Sequence, residues 1–102
     1  MNHAPRRGYR EIKASRTRIA SARLGALYLF GSYARDDARD DSDVDLFVDP
    51  ASDESFGFLD YMKAYEEIRN AVGPEVELGY STRDGLSRYI RADIEKEAIR
   101  VF

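Results

Sequence analysis

The sequence predicts an α/β (mixed α+β) chain with a small mixed sheet of three to four strands flanked by helices. Three observations point there. Short apolar or alternating runs, ALYLF at 26–30, DVDLFVD at 43–49 and EVELGYS at 75–81, are too short for helices and are bounded by turn-forming residues. Longer segments before, between and after them carry apolar residues at helical spacing. The two patterns interleave along the chain, as expected when helices pack on one sheet.

Tyr9 to Leu24, YREIKASRTRIASARL, contains no Pro or Gly and sets Ile12, Ile19, Ala20 and Leu24 along a moderately amphipathic helix. Gly25 stands where that helix should stop. Ala26 to Phe30 is a continuous apolar run closed by Gly31, the pattern of a buried strand. From Asp43 to Asp49 the alternation is clean: Val44, Leu46 and Val48 point one way, Asp43, Asp45, Phe47 and Asp49 the other, so a strand with a wet face is expected. Pro50 to Gly57 reads as a loop. Phe58, Met62, Tyr65 and Val72 then recur at helical spacing until Gly73-Pro74, which predicts a second helix. Glu75 to Ser81 alternates again, with Val76 and Leu78 inward and Glu75 and Glu77 opposite. Leu86, Ile90, Ile94 and Ala98 step by four through a last helix, from which Ile99 to Phe102 peels off as a short edge strand.

With 102 residues, 43% of them apolar and 34% charged, residues 1–102 are expected to form a single domain. The absence of cysteine excludes disulfides, thiol catalysis and Cys-based zinc sites. No apolar run approaches the ~20 residues of a membrane span, and the start of the chain lacks the apolar stretch of a secretory signal, so a soluble cytoplasmic protein without membrane contact is expected. A net charge of −3 conceals an asymmetry. Residues 1–24, a basic N-terminal arm and helix, carry seven bases against one acid, and the remainder nine against eighteen. Such an arm suits nucleic acid, a triphosphate or an acidic partner, or is simply a solvated helix face.

The chemistry concentrates in one stretch: Gly31-Ser32, ten residues, then Asp43-Val44-Asp45. Carboxylates at alternate strand positions project from the same face with Cα atoms about 7 Å apart, within reach of one ion or an ion pair. Their mutual repulsion is relieved by a hard divalent cation, typically magnesium bridging to substrate phosphates. Gly31, lacking Cβ, lets the backbone turn sharply against a ligand, and Ser32 is placed to cap a following short helix whose amides, with its own hydroxyl, would receive phosphate. A phosphate cradle beside a metal-binding carboxylate pair is the minimum equipment for nucleotidyl transfer. An EF-hand is excluded because Leu46 stands where Gly is required and Ser52 where Glu is, and neither a Walker loop nor a dinucleotide-binding glycine fingerprint occurs.

The run LFGSYARDDARDDSDVDLFV closely resembles the signature of the DNA polymerase β-like nucleotidyltransferase superfamily, specifically its minimal nucleotidyltransferase (MNT) branch. The VEL strand and the ending IEKEAIRVF extend the resemblance over nearly the whole chain. It implies that Gly31 and Ser32 hold the triphosphate, that Asp43 and Asp45 are metal ligands and catalytic, and that Glu77 is the third carboxylate, completing the metal site or accepting the proton of the attacking hydroxyl. Many members carry Asp at that position, and Glu75 on the same face is the substitute candidate. Arg35 and Arg39 are further candidate nucleotide contacts, a solvent-exposed role being the alternative for each. Asp36 replaces a Gly common in the motif and could weaken nucleotide binding, while Tyr33 is expected to pack.

Proteins of this length in the branch resemble the antitoxin half of HEPN/MNT toxin–antitoxin pairs. The implication is a magnesium-dependent enzyme that moves AMP from ATP onto a tyrosine of a HEPN ribonuclease toxin and neutralises it, in a hetero-oligomer with that toxin. Direct nucleic-acid binding is not expected, because one nucleotide site leaves little chain for a further binding domain. Two alternatives stay open: a non-catalytic, toxin-binding antitoxin, and a nucleotidyltransferase acting on a small molecule or an RNA end.

Overall fold

The computed structural model describes residues 7–35, 43–52 and 56–102. Among these, helices α1 (Arg7–Ala14) and α2 (Arg16–Ala20) lead into strand β1 (Leu24–Phe30), which ends in a 3-10 turn at Gly31–Tyr33. Strand β2 (Val44–Pro50), helix α3 (Phe58–Val72), strand β3 (Leu78–Thr82), helix α4 (Arg91–Glu97) and strand β4 (Ile99–Arg100) follow. The sheet order is β3-β2-β1-β4, with β1 antiparallel to both β2 and β4 and β2 parallel to β3. The mixed four-stranded sheet with flanking helices is the predicted fold class.

Two corrections concern the N-terminal segment. The expected single helix breaks at Ser15, whose backbone leaves the helical region and whose N–H bonds Ile12 O, while the Arg16 side chain donates to the carbonyl of Lys13. Serine offers the chain such local alternatives to helix. Both pieces still bury their isoleucine, Ile12 and Ile19. The stop is Arg23, with a left-handed φ of 68°, and β1 already starts at Leu24. Gly25 therefore lies inside the strand, at a slip of register, where a Cβ would come within 3.2 Å of the Pro50 carbonyl and Ala51 Cα. That glycine marks a close approach of two backbones rather than a helix end.

One sheet face, Leu27 and Leu29 of β1 with Val44, Leu46 and Val48 of β2, packs against Ile12, Ile19, Ala64, Ile68 and Val72 from the first three helices. Full burial of each such Leu, Ile or Val side chain stabilises by about 1.5–3 kcal/mol. Of the stripe expected on α3, Val72 is buried, with Ala64 and Ile68 beside it, whereas Phe58 is 73% exposed. The opposite face is wet only toward its ends. Phe47 at its middle is wholly buried under Leu86 and Ile94 and stacks on Tyr28 at 4.8 Å, so the alternation expected to mark a wet strand face instead holds a second small core.

Helix α3 is closed by Gly73 (φ 91°), whose N–H bonds Arg69 O at 2.9 Å. The Arg69 guanidinium then donates to the carbonyls of Gly73 and Val76, holding 73–77 as a turn. Glu75 therefore sits in that turn, and the third strand begins at Leu78 rather than at Glu75. Reciprocal hydrogen bonds of 3.0 Å between Tyr61 and Tyr80, each hydroxyl donating to the other's carbonyl, fasten β3 to α3. The last helix is also shorter than expected. Residues 83–90 form turns, with Gly85 N–H bonding Thr82 and the Arg91 side chain donating to the carbonyls of Asp84 and Leu86, so Ile90 is left half exposed. The edge strand is β4, beside β1, and a further bond from Val101 N–H to Leu27 O prolongs the pairing. No helix among the described residues is long and apolar enough to cross a membrane.

Candidate active site

β1 delivers the chain to Gly31, whose φ of 76° an L side chain rarely adopts. The 3-10 turn there is closed by a bond from Arg35 N–H to Gly31 O at 3.1 Å. Ser32 lies inside this turn, whose cap position falls on Phe30, and no side chain caps it. The expected capping role of Ser32 is thus corrected, because the chain tightens one residue earlier.

Antiparallel pairing sets Asp45 opposite Phe30, and parallel pairing sets it beside Gly79. Its carboxylate occupies space that two missing side chains leave open: a Cβ on Gly31 would collide with Oδ2, and one on Gly79 with Oδ1. Burial, then the neighbouring Asp43 charge, pushes the Asp45 pKa above its ordinary 3.8, against the opposing pull of Arg35; Glu97 adds to the rise. Asp43 is exposed at the entry to β2. Glu77 accepts a bond from Val44 N–H at 2.9 Å through its carbonyl, which holds it level with Asp43 one residue before the Val44–Leu78 pair, its side chain exposed. Asp43, Asp45 and Glu77 therefore stand at one end of adjacent strands. Among the described residues they do not converge into a group of three or more metal-ligating side chains.

Asp49, on the same face of β2, has a different fate. Arg83 grips it with two bonds, Nε to Oδ1 at 2.9 Å and Nη2 to Oδ2 at 2.7 Å, while also donating to Glu95 and lying over the rings of Tyr28 and Phe47. Asp49 is a structural carboxylate at the other end of the strand. Tyr33 packs against the main core, in keeping with its expected role. Arg39 and Asp36 lie outside the described residues.

Two residues at the site were not singled out from sequence. Gly79 makes room for Asp45, and its absence of a side chain on a strand's polar face was the signal. Glu97, the last residue of α4, accepts from Gly31 N–H at 2.8 Å and from Arg35 Nη1 at 3.1 Å. Its signal was present only once the edge strand's partner was known.

The donor set suits a hard divalent cation: Asp43 and Asp45 offer oxygen alone, and the crowding and burial that raise the Asp45 pKa are what a cation would relieve. The Gly31 turn beside it ends at Arg35, whose guanidinium is a candidate partner for a phosphate. Such an arrangement can transfer a phosphoryl-linked group.

Comparison with known proteins bears on the family and the fold. A protein of Methanocaldococcus jannaschii, assigned provisionally as a protein adenylyltransferase, is 28% identical over 79 residues, 78% of each chain. A solved structure described provisionally as a minimal nucleotidyltransferase is 33% identical, with a TM-score of 0.69 over 89% of this chain and 93% of that one. A toxin–antitoxin structure with AMP-PNP shares the fold at 15% identity, with a TM-score of 0.65 over 88% of this chain and 72% of the other. The sequence profile of the nucleotidyltransferase domain matches residues 10–101. Fold and profile coincide over nearly the whole chain, which belongs to the nucleotidyltransferase domain family.

Proposed function

We propose that this protein is a magnesium-dependent nucleotidyltransferase antitoxin that transfers AMP from ATP onto a tyrosine hydroxyl of a HEPN ribonuclease toxin, with which it forms a hetero-oligomer. The observation that carries the catalytic part is the half-buried Asp45 carboxylate, lodged between Gly31 and Gly79 beside the turn that would receive phosphate. The protein acceptor is supported by the relative named as an adenylyltransferase and by the toxin–antitoxin neighbour carrying an ATP analogue. A HEPN toxin and its tyrosine come from the sequence resemblance alone.

In this reading Ser32, Arg35 and Arg39 orient the triphosphate along the Gly31 turn. Asp43 and Asp45, with Glu77 at the exposed edge, would hold magnesium, which when bound neutralises the charge that builds on the departing pyrophosphate. The tyrosine oxygen forms a bond to the α-phosphorus as the bond to the β-phosphate bridging oxygen breaks. Pyrophosphate leaves with that electron pair, and the hydroxyl proton passes to Glu77. An exposed site of this kind leaves its outer wall to the acceptor protein.

The test is incubation of the protein with ATP labelled on the α-phosphate, magnesium and the protein encoded beside it. Label on a tyrosine of the partner is the expected result. Tight binding without label would establish the non-catalytic antitoxin instead. Label on an added small molecule or RNA, with none on the partner, would establish the other acceptor class.

A further inference from the structure

We propose that Glu97 is a positioning residue for the nucleotide loop, holding the Gly31 peptide and the Arg35 guanidinium in the arrangement that receives a triphosphate. The inference rests on the nucleotidyltransferase reading and adds to it a residue from the far end of the chain. Its place follows from the sheet. β4 pairs with β1 through Leu29–Ile99 and Tyr28–Arg100, and continuing that antiparallel register by two residues brings Gly31 level with Glu97. At that point β1 turns out of the sheet, with Gly31 at φ 76°, and the Gly31 N–H has lost a strand partner. Glu97 Oε2 accepts that N–H at 2.8 Å, replacing the backbone bond by a charge-assisted one.

The same carboxylate takes Arg35 Nη1, at 3.1 Å to Oε1 and 3.3 Å to Oε2. Arg35 and Gly31 are also joined through the backbone, Arg35 N–H to Gly31 O, so Glu97 closes a ring that contains the whole 3-10 turn and Ser32 within it. A half-buried carboxylate with two directed donors loses little freedom when a ligand arrives, and neither does the turn it braces. The charge of Glu97 is offset by Arg35 inside this ring, so the brace does not confront the incoming phosphates with an uncompensated anion.

Two measurements on the full chain test this. In the nucleotide-free protein, hydrogen exchange at the Gly31 amide should rise on the order of tenfold in Glu97→Ala and remain near wild type in Glu97→Gln, which keeps an acceptor oxygen. In titrations with AMP-PNP, Glu97→Ala should weaken binding on the order of tenfold, with a matching rise in KM for ATP, kcat nearly unchanged, and partial rescue by glutamine. Tighter AMP-PNP binding in Glu97→Ala would show that the carboxylate competes with phosphate, and overturns the proposal. Unchanged Gly31 exchange, or a variant that is less stable but binds AMP-PNP as the wild type does, overturns it too. Failure of the wild type itself to bind AMP-PNP would overturn the nucleotidyltransferase reading instead, and the Gly31 exchange would still decide whether Glu97 orders the loop. Should Glu97→Ala not fold, Glu97→Gln carries the test through its loss of Arg35 pairing and must then weaken AMP-PNP binding.

Discussion

Asp45 lies across Gly79 of the neighbouring parallel strand, so near that any side chain at position 79 would collide with its Oδ1. The backbone at Gly79, unlike that at Gly31, does not adopt a left-handed φ, so alanine can take its conformation there. Gly79→Ala should therefore fold with stability changed by less than about 1 kcal/mol, while AMP transfer falls on the order of 10²-fold because the Asp45 carboxylate is pushed aside. Urea denaturation and a transfer assay on one preparation check both halves. Near wild-type transfer would mean that Asp45 does not act from its observed position.

Asp43→Asn and Asp45→Asn should each abolish transfer and leave the circular dichroism spectrum intact, because neither side chain contributes to the cores on the two sheet faces. Transfer by either variant at saturating magnesium would refute the metal-ligand assignment.

The raised pKa of Asp45 sets the sign of a pH effect on stability. A carboxylate that holds its proton more tightly folded than unfolded favours the folded state fully below its ordinary 3.8, and that contribution is lost as pH rises through the folded pKa. Asp45→Asn should consequently be more stable than wild type at neutral pH, the difference vanishing below pH 3.8. Paired denaturation curves across this range measure it, and a variant less stable than wild type at pH 7 would contradict the burial argument.

Glu77→Gln should slow transfer on the order of 10²-fold while nucleotide binding survives, the usual size of a lost acid–base contribution. Glu75→Gln should be tolerated, since Glu75 is exposed in the turn that Arg69 holds and stands off the strand altogether. The opposite pattern would move the third carboxylate to position 75.

Arg83→Met should destabilise the fold by about 1–3 kcal/mol, because it leaves Asp49 and Glu95 without their shared donor and removes a cation from the rings of Tyr28 and Phe47. Lysine should restore only part of the loss, lacking the planar fork that meets both Asp49 oxygens. Urea midpoints of the two variants decide this.

Local pattern alone determined the elements that carry the chemistry. The apolar run into Gly31, the alternation around Asp43 and Asp45, and helix 58–72 are legible because strand and helix periods act over a few neighbouring residues. What the alternation could not distinguish was the fate of each polar-face residue. Asp45 was left at the mouth of the site and Asp49 was claimed by Arg83, 34 positions along the chain, while Phe47 between them was buried beneath Leu86 and Ile94. Helix ends at 15 and 91 and the start of β3 at Leu78 were likewise decided by side-chain bonds to carbonyls, which periodicity does not encode. Glu97 entered the site only through strand pairing, and pairing is what set Gly79 beside Asp45, because a register is a relation between distant segments and no single segment contains it.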